Sequence, residues 1–205
     1  MNSAMTDADP TPAPFPPQLR ERLPRLDPVA LESFFDAYFD RVYGYVRRLV
    51  NDEQLAEDLT QDVFLHIQLA FSTYDPEREL RPWVFTIATN RVRDHWRSHR
   101  HREGRKDVSV ERDAALLGLS AGEHRPDSDL AENELSAILR DAVDELPEGM
   151  RMAVLLRVYE GLSFEAIGEV LGRSEVAVRK RYSRALEALR AALGPAWRVH
   201  TEGGS

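Results

Sequence analysis

The sequence predicts an all-α protein of two small helical domains joined by a flexible acidic linker. Three observations carry that expectation. Apolar residues recur at helical spacing along every long segment, and no segment alternates with period two for long enough to make a strand. Turn-forming and acidic residues gather at 1–27 and again at 103–130, dividing the 205 residues into two periodic blocks. Charge is segregated along the chain rather than mixed.

The first block follows a proline-rich arm. Seven of the twelve prolines fall in residues 1–28, so residues 1–27 are expected to be disordered. Asp27-Pro28 then reads as an N-cap followed by proline in the first turn. Leu31, Phe34, Phe35, Tyr38, Val42, Tyr45, Val46 and Leu49 continue the helix to Val50. A second helix is expected from Glu53 to Leu69. The loop FSTYDPEREL carries Asp75-Pro76 as its turn signal, and a third helix starts near Leu80.

Residues 103–130 lack sustained periodicity and read as the linker. Beyond them, 131–146, 147–160, 163–171 and 174–193 read as four helices. Pro147 starts the second and Gly161 ends it. Ser163 and Ser174 are N-cap candidates, and Gly194-Pro195 stops the last before a tail at 194–205.

Composition narrows the function classes. No run of about 18 apolar residues exists, so no membrane insertion is expected. The start MNSAMTDADPTPAPFPP has neither a basic nor an apolar signal region. Zero cysteines exclude disulfides and cysteine-ligated metal, and fit a cytoplasmic protein. The formal net charge of -8 hides two basic islands. Residues 51–79 hold eight acids against one arginine, and 107–148 hold twelve acids against three arginines. Residues 80–106 hold eight basic residues against two acids, and 173–190 six against two.

The second island lies in SFEAIGEVLGRSEVAVRKRYSRALEALR, which has the form of a helix-turn-helix. Two helices that cross closely need a small residue in the first and a tight turn between them. Gly168 supplies the small residue, Gly172 the turn and Val178 the apolar plug. On a helical wheel Val178, Tyr182, Ala185 and Leu189 share one side. Val176, Arg179, Lys180 and Ser183 lie opposite, with Ser174, Glu175 and Arg184 completing the face that would meet a major groove. The alternative is an ordinary helical hairpin with a solvated basic face.

The first island, NRVRDHWRSHRHREGRK, gathers seven basic residues, three histidines and a tryptophan in seventeen positions. Val84, Ile87, Ala88 and Val92 form the expected buried side of its helix. Trp83, Thr86, Asn90, Arg93, Arg97 and Arg100 form the expected exposed stripe, suited to unstacked bases and their phosphates. Trp96 sits at the border and is equally readable as core. His95, His99 and His101 face different sides and read as polar surface rather than a metal site.

In QLAEDLTQDVFLHIQ, Ala56, Leu59, Val63 and Ile67 face one way. Gln54, Asp58, Gln61, Asp62 and Leu65 face the other, an acidic stripe with an exposed leucine. That is either a docking surface for a basic helix or a solvated face. Asp58, Asp62 and His66 lack the Glu-x-x-His pairs of helical-bundle metal sites, so neither metal nor cofactor is expected. No motif places a nucleophile beside a base, and no phosphate-binding glycine loop occurs, so an enzyme is not expected.

The stretches AEDLTQDVFLHI, RPWVFTIATNRVRDHWR and LPEGMRMAVLLRVYEGLSFEAIGEVLGRSEVAVRKRYSRALEALR together resemble the bacterial sigma factors. The likeness is to the compact extracytoplasmic-function group, which keeps only regions 2 and 4. The resemblance implies a region 2 bundle at 28–102 and a region 4 helix-turn-helix at 131–193. It implies a transcription initiation factor that binds core RNA polymerase through the β-prime clamp helices and the β flap and directs it to promoter DNA.

Gln54, Asp58, Gln61, Asp62 and Leu65 would meet the polymerase. Trp83, Thr86, Asn90, Arg93, Trp96, Arg97 and Arg100 would hold the opened -10 element, with loop 71–80 helping to form a pocket for a flipped base. Ser174, Glu175, Val176, Arg179, Lys180, Ser183 and Arg184 would read the -35 element as duplex. The family's common regulator is an anti-sigma factor. Gln68 stands where the family often has tryptophan. The acidic remainder would weaken promoter binding by the free chain through long-range repulsion. Two rivals remain: a stand-alone helix-turn-helix regulator, which leaves the Trp83 stripe without a purpose, and a helical adaptor that binds only proteins.

Overall fold

The computed structural model describes residues 14–102 and 130–194. Regular structure among them is helical: α1 (Pro17–Arg20), α2 (Pro28–Val50), α3 (Glu53–Ala70), α4 (Leu80–Arg102), α5 (Leu130–Asp144), α6 (Glu148–Val158), α7 (Phe164–Leu171) and α8 (Glu175–Leu193). The expected linker lies outside the described residues except for Leu130, and the expected tail except for Gly194.

Local chemistry sets the boundaries. Asp27, Asp52, Ser163 and Ser174 each accept a backbone N–H from the residue three positions on, satisfying a donor that the first helical turn leaves open. Gly172 ends α7 at φ +64°, a left-handed conformation that glycine adopts without a Cβ clash.

Helices α2, α3 and α4 form the first unit. Phe34, Tyr38, Val42, Val46 and Leu49 meet Ala56, Val63 and Ile67 from α3 and Val84, Phe85, Ala88 and Val92 from α4. Within it the buried Tyr45 and Thr89 hydroxyls lie 2.9 Å apart. Burial raises the Tyr45 phenol well above its ordinary range. In the second unit α5, α6 and α7 surround α8, with Met152, Leu156, Ile167 and Val178 at the centre.

The arm is a correction. Residues 1–13 lie outside the described residues, but 14–27 are folded onto the bundle rather than disordered. Leu23 is fully buried in a short 3-10 turn, Leu23–Arg25. The Phe15 ring stands edge-on to Phe34 at 6.3 Å. Phe15 finds an aromatic seat and Leu23 a place in the core, and the prolines lower the entropy lost on ordering.

The two-unit division holds, and the structure adds a feature absent from the sequence patterns. The units share one continuous core, with α7 packed along α4 and α6 against α2.

Candidate nucleic-acid interface

Helix α4 places the expected stripe unevenly. Asn90, Arg97 and Arg100 are exposed, whereas Trp83, Thr86, Arg93 and Trp96 are half-buried. The expectation that Trp83, Thr86 and Arg93 are fully exposed is therefore corrected. One face of Trp83 stacks on Phe71 at 5.6 Å with 27° between planes, and Tyr74 packs beside it at 4.7 Å. The Thr86 hydroxyl donates to the Pro82 carbonyl. Trp96, readable either way from sequence, packs partly against the core.

The loop after α3 supports the tryptophan. Its Tyr74 hydroxyl donates to the Arg78 carbonyl at 2.7 Å, closing the turn. Burial pushes that phenol up to about 12, so Tyr74 stays a neutral donor.

Helix α8 presents its expected face without correction. Ser174, Glu175, Val176, Arg179, Lys180, Ser183 and Arg184 are all exposed, and Val178 beneath them is fully buried. Val176 is 76% exposed, an apolar side chain held out where no core requires it. Arg179 is held by Glu175, one carboxylate oxygen accepting from both Nε and Nη2, and its guanidinium lies 4.5 Å from the Phe164 ring centroid. The close crossing below depends on Gly168. A Cβ there would stand 2.7 Å from the Arg173 carbonyl oxygen.

Helix α3 carries the acidic face. Gln54, Asp58, Gln61 and Leu65 are exposed, and Asp62 is half-covered with its carboxylate 3.2 Å from His66 Nδ1. Sequence reading missed the apolar neighbours of this stripe. Phe35 and Leu69 are 47% and 68% exposed, beside a groove lined by Phe35, Phe39, Phe64, Leu65 and Gln68. Leu65 and Leu69, one turn apart on the acidic side, were the available signal. Phe35 was hidden because it shares the apolar spacing of a core helix.

Arginines bridge the two units, and these contacts were also missed. Arg41 pairs with Glu160, whose side chain is almost wholly buried. Arg81 donates to the Glu160 carbonyl at 3.2 Å, and Arg48 lies over the Tyr159 ring at 4.2 Å. Arg151 donates to the Leu49 carbonyl at the end of α2. Arg93 reaches the Leu171 carbonyl, and Arg100 pairs with Glu148 at 2.7 Å. Burial raises the Glu160 carboxyl above its usual range, with Arg41 opposing, and lowers Arg93. Glu160 looked like an ordinary helix-end acid because its partner is 119 residues away.

Comparison with known proteins adds three findings. The family model for Sigma-70 region 2 matches residues 34–102, and that for Sigma-70, region 4 matches residues 136–189. The chain is 37% identical over 165 residues to RNA polymerase sigma factor CarQ of Myxococcus xanthus, covering 80% of this chain and 90% of that one. It is 32% identical over 184 residues to the RNA polymerase sigma-H factor of Pseudomonas aeruginosa, covering 87% and 93%. Among solved structures, CnrH in complex with the cytosolic domain of CnrY matches with TM-score 0.63 at 23% identity over 86% of this chain and 96% of that one. The Bartonella quintana sigma factor RpoE, in a complex with the anti-sigma factor NepR, matches with TM-score 0.65 at 19% identity, covering 80% and 97%. These two likenesses establish the fold.

Proposed function

The chain belongs to the RNA polymerase sigma factors, in the extracytoplasmic-function group, and we propose from that membership a division of labour among its three charged faces. It is a promoter-specific transcription initiation factor that binds core RNA polymerase and promoter DNA. The polymerase carries out the chemistry, and this chain selects where it begins.

The acidic face of α3, through Gln54, Asp58, Gln61, Asp62 and Leu65, docks a basic helical surface of the polymerase. Phe35 and Leu69 extend it with apolar contact, since charge complementarity sets register while buried apolar area holds the complex. Helix α4 takes the separated -10 strand. Arg97 and Arg100 meet phosphates, Asn90 meets a base edge, and the outer face of Trp83 stacks on a base. Helix α8 enters the major groove of the -35 duplex with Val176, Arg179, Lys180 and Ser183. The chain works in the cytoplasm, and the groove beside α3 suits an inhibitory protein of the anti-sigma class.

The observation that carries this reading is the distribution of charge: acidic on α3, basic on α4 and α8, each on a different surface. A stand-alone regulator needs only the last. Run-off transcription with purified core polymerase on genomic fragments tests it, comparing the wild type with an Asp58→Arg, Gln61→Ala variant. The wild type is expected to initiate at discrete sites and the variant to lose core binding and initiation together. Failure of the wild type to initiate, with both proteins binding duplex equally, overturns the reading.

A further inference from the structure

Helices α3 and α4 pack side by side, and a run of polar contacts crosses from one to the other. His66 on α3 stands with Nδ1 2.8 Å from the Asp62 carbonyl and Nε2 3.2 Å from Arg91 Nη1 on α4. A guanidinium has no lone pair to offer, so Nε2 is the accepting nitrogen. The ring hydrogen then sits on Nδ1 and is donated to the Asp62 carbonyl. The other arm of Arg91, Nη2, donates to Asp94 Oδ2 at 2.6 Å. The second oxygen of Asp94 accepts from Arg97 Nη1 at 3.3 Å.

One carboxylate thus stands between two arginines, and the two contacts are unequal. Asp94 follows Asn90 by one turn of α4, among residues assigned above to the separated strand, so it competes with phosphate for Arg97. The short, charge-assisted bond from Arg91 takes up much of that demand, while Arg97 is held only at long reach. Burial follows the same order: the Arg91 side chain is 30% exposed and that of Arg97 is 71%.

His66 supplies the brace. A guanidinium is a rigid planar fork, and with Nη1 on His66 and Nη2 on Asp94 both of its arms are engaged. Without the first contact the long side chain regains its rotamers and holds Asp94 less of the time. The imidazole is itself anchored on a main-chain carbonyl, so the brace persists when polymerase engages the Asp62 carboxylate.

We infer that Arg91, braced by His66, is a positioning residue for strand capture: it occupies the Asp94 carboxylate and so leaves Arg97 to a phosphate. Both residues lie off the strand-facing stripe, toward the seam between α3 and α4, and both act through Arg97. The inference rests on the assignment of α4 to the -10 strand.

A labelled oligothymidine of about 20 nucleotides tests it with the full-length chain, read by fluorescence anisotropy at low salt, because a phosphate contact needs no particular sequence. Arg97→Ala is expected to weaken binding about tenfold. Arg91→Leu is expected to weaken it about fivefold, as Asp94 turns to Arg97. In the Arg97→Ala background the same Arg91→Leu change is expected to cost less than about twofold, since the residue it acts through is gone. His66→Leu is expected to weaken binding about threefold. His66→Gln, whose amide can accept from Arg91 and donate to the Asp62 carbonyl, is expected to restore the wild-type value.

Losses at Arg91 and Arg97 that simply add would mean that Arg91 acts by its own charge, and would overturn the inference while leaving the α4 assignment intact. A His66→Gln chain that binds as weakly as His66→Leu overturns it in the same way. Wild-type affinity in Arg97→Ala removes the α4 assignment itself, and the inference with it. If circular dichroism shows that Arg91→Leu does not fold, the same cycle run with His66→Leu against Arg97→Ala decides, under the same expectations.

Discussion

The Trp83 ring stacks on Phe71 with centroids 5.6 Å apart and meets Tyr74 at 4.7 Å, so part of the tryptophan belongs to the fold while the side chain stays half-exposed. The two roles are separable. Trp83→Leu keeps an apolar side chain against Phe71 but loses volume, and is expected to lower unfolding free energy by about 1–3 kcal/mol. The same change removes a stacking surface of the kind worth about 1–3 kcal/mol per base, and is expected to weaken oligothymidine binding by the chain about tenfold. Urea titration and anisotropy measure the two effects. Equal strand affinity in the two proteins would remove Trp83 from the interface.

The crossing of α7 and α8 tolerates no side chain at Gly168, where a Cβ would meet the backbone oxygen of Arg173 at 2.7 Å. Backbone cannot swing aside as a side chain can. Gly168→Ala is expected to cost about 1–3 kcal/mol through overpacking. Because Arg173 and Ser174 lead into α8, that helix must shift as well. Duplex binding by holoenzyme should fall more than stability alone explains, as thermal melting beside promoter footprinting would reveal.

Leu65 and Leu69 are 54% and 68% exposed and add little to the core. Replacing both with serine is expected to leave stability within about 0.5 kcal/mol. If this patch docks the polymerase, affinity for core enzyme should nonetheless drop at least tenfold in a pull-down titration. Unchanged affinity would confine the docking surface to the carboxylates.

Glu160 gives a pH signature whose sign follows from its burial. Its carboxyl is raised above the ordinary value of 4.5, with desolvation outweighing the Arg41 charge. As pH falls from neutrality, the folded protein takes up this proton before the unfolded chain does. The native state then binds more protons than the unfolded one, so this group's contribution to stability grows on acidification and is lost as pH rises through the raised value. Urea unfolding at stepped pH just above 4.5 should show, as pH rises, a change in stability that is more negative in the wild type than in Glu160→Gln. An identical slope in the two proteins would mean that Glu160 is not buried as the structure has it.

Much of the site was legible because its signals are local. Asp27, Ser163 and Ser174 announce helix starts, and Gly168, Gly172 and Val178 announce a crossing, since each acts on neighbours a few residues away. The exposed face of α8 followed from a wheel because the opposite face packs uniformly. The wheel on α4 failed for Trp83 and Arg93 because two different surfaces cover that helix. Phe71 and Tyr74 come from the preceding loop, and α7 comes from the far unit. Folded residues 14–27 were missed for a similar reason: proline content speaks of the unfolded chain and says nothing of the aromatic seat awaiting Phe15.

The sequence by itself determined the helices, their caps, the turn of the helix-turn-helix and the segregation of charge, because periodicity and short-range hydrogen bonding are written in neighbouring residues. Tertiary structure alone decided which charges are free to act. Arg41 with Glu160 and Arg93 with Leu171 join residues 119 and 78 positions apart. Burial by such distant partners changes what a charge costs to expose, and that cost depends on three-dimensional packing rather than on any pattern along the chain.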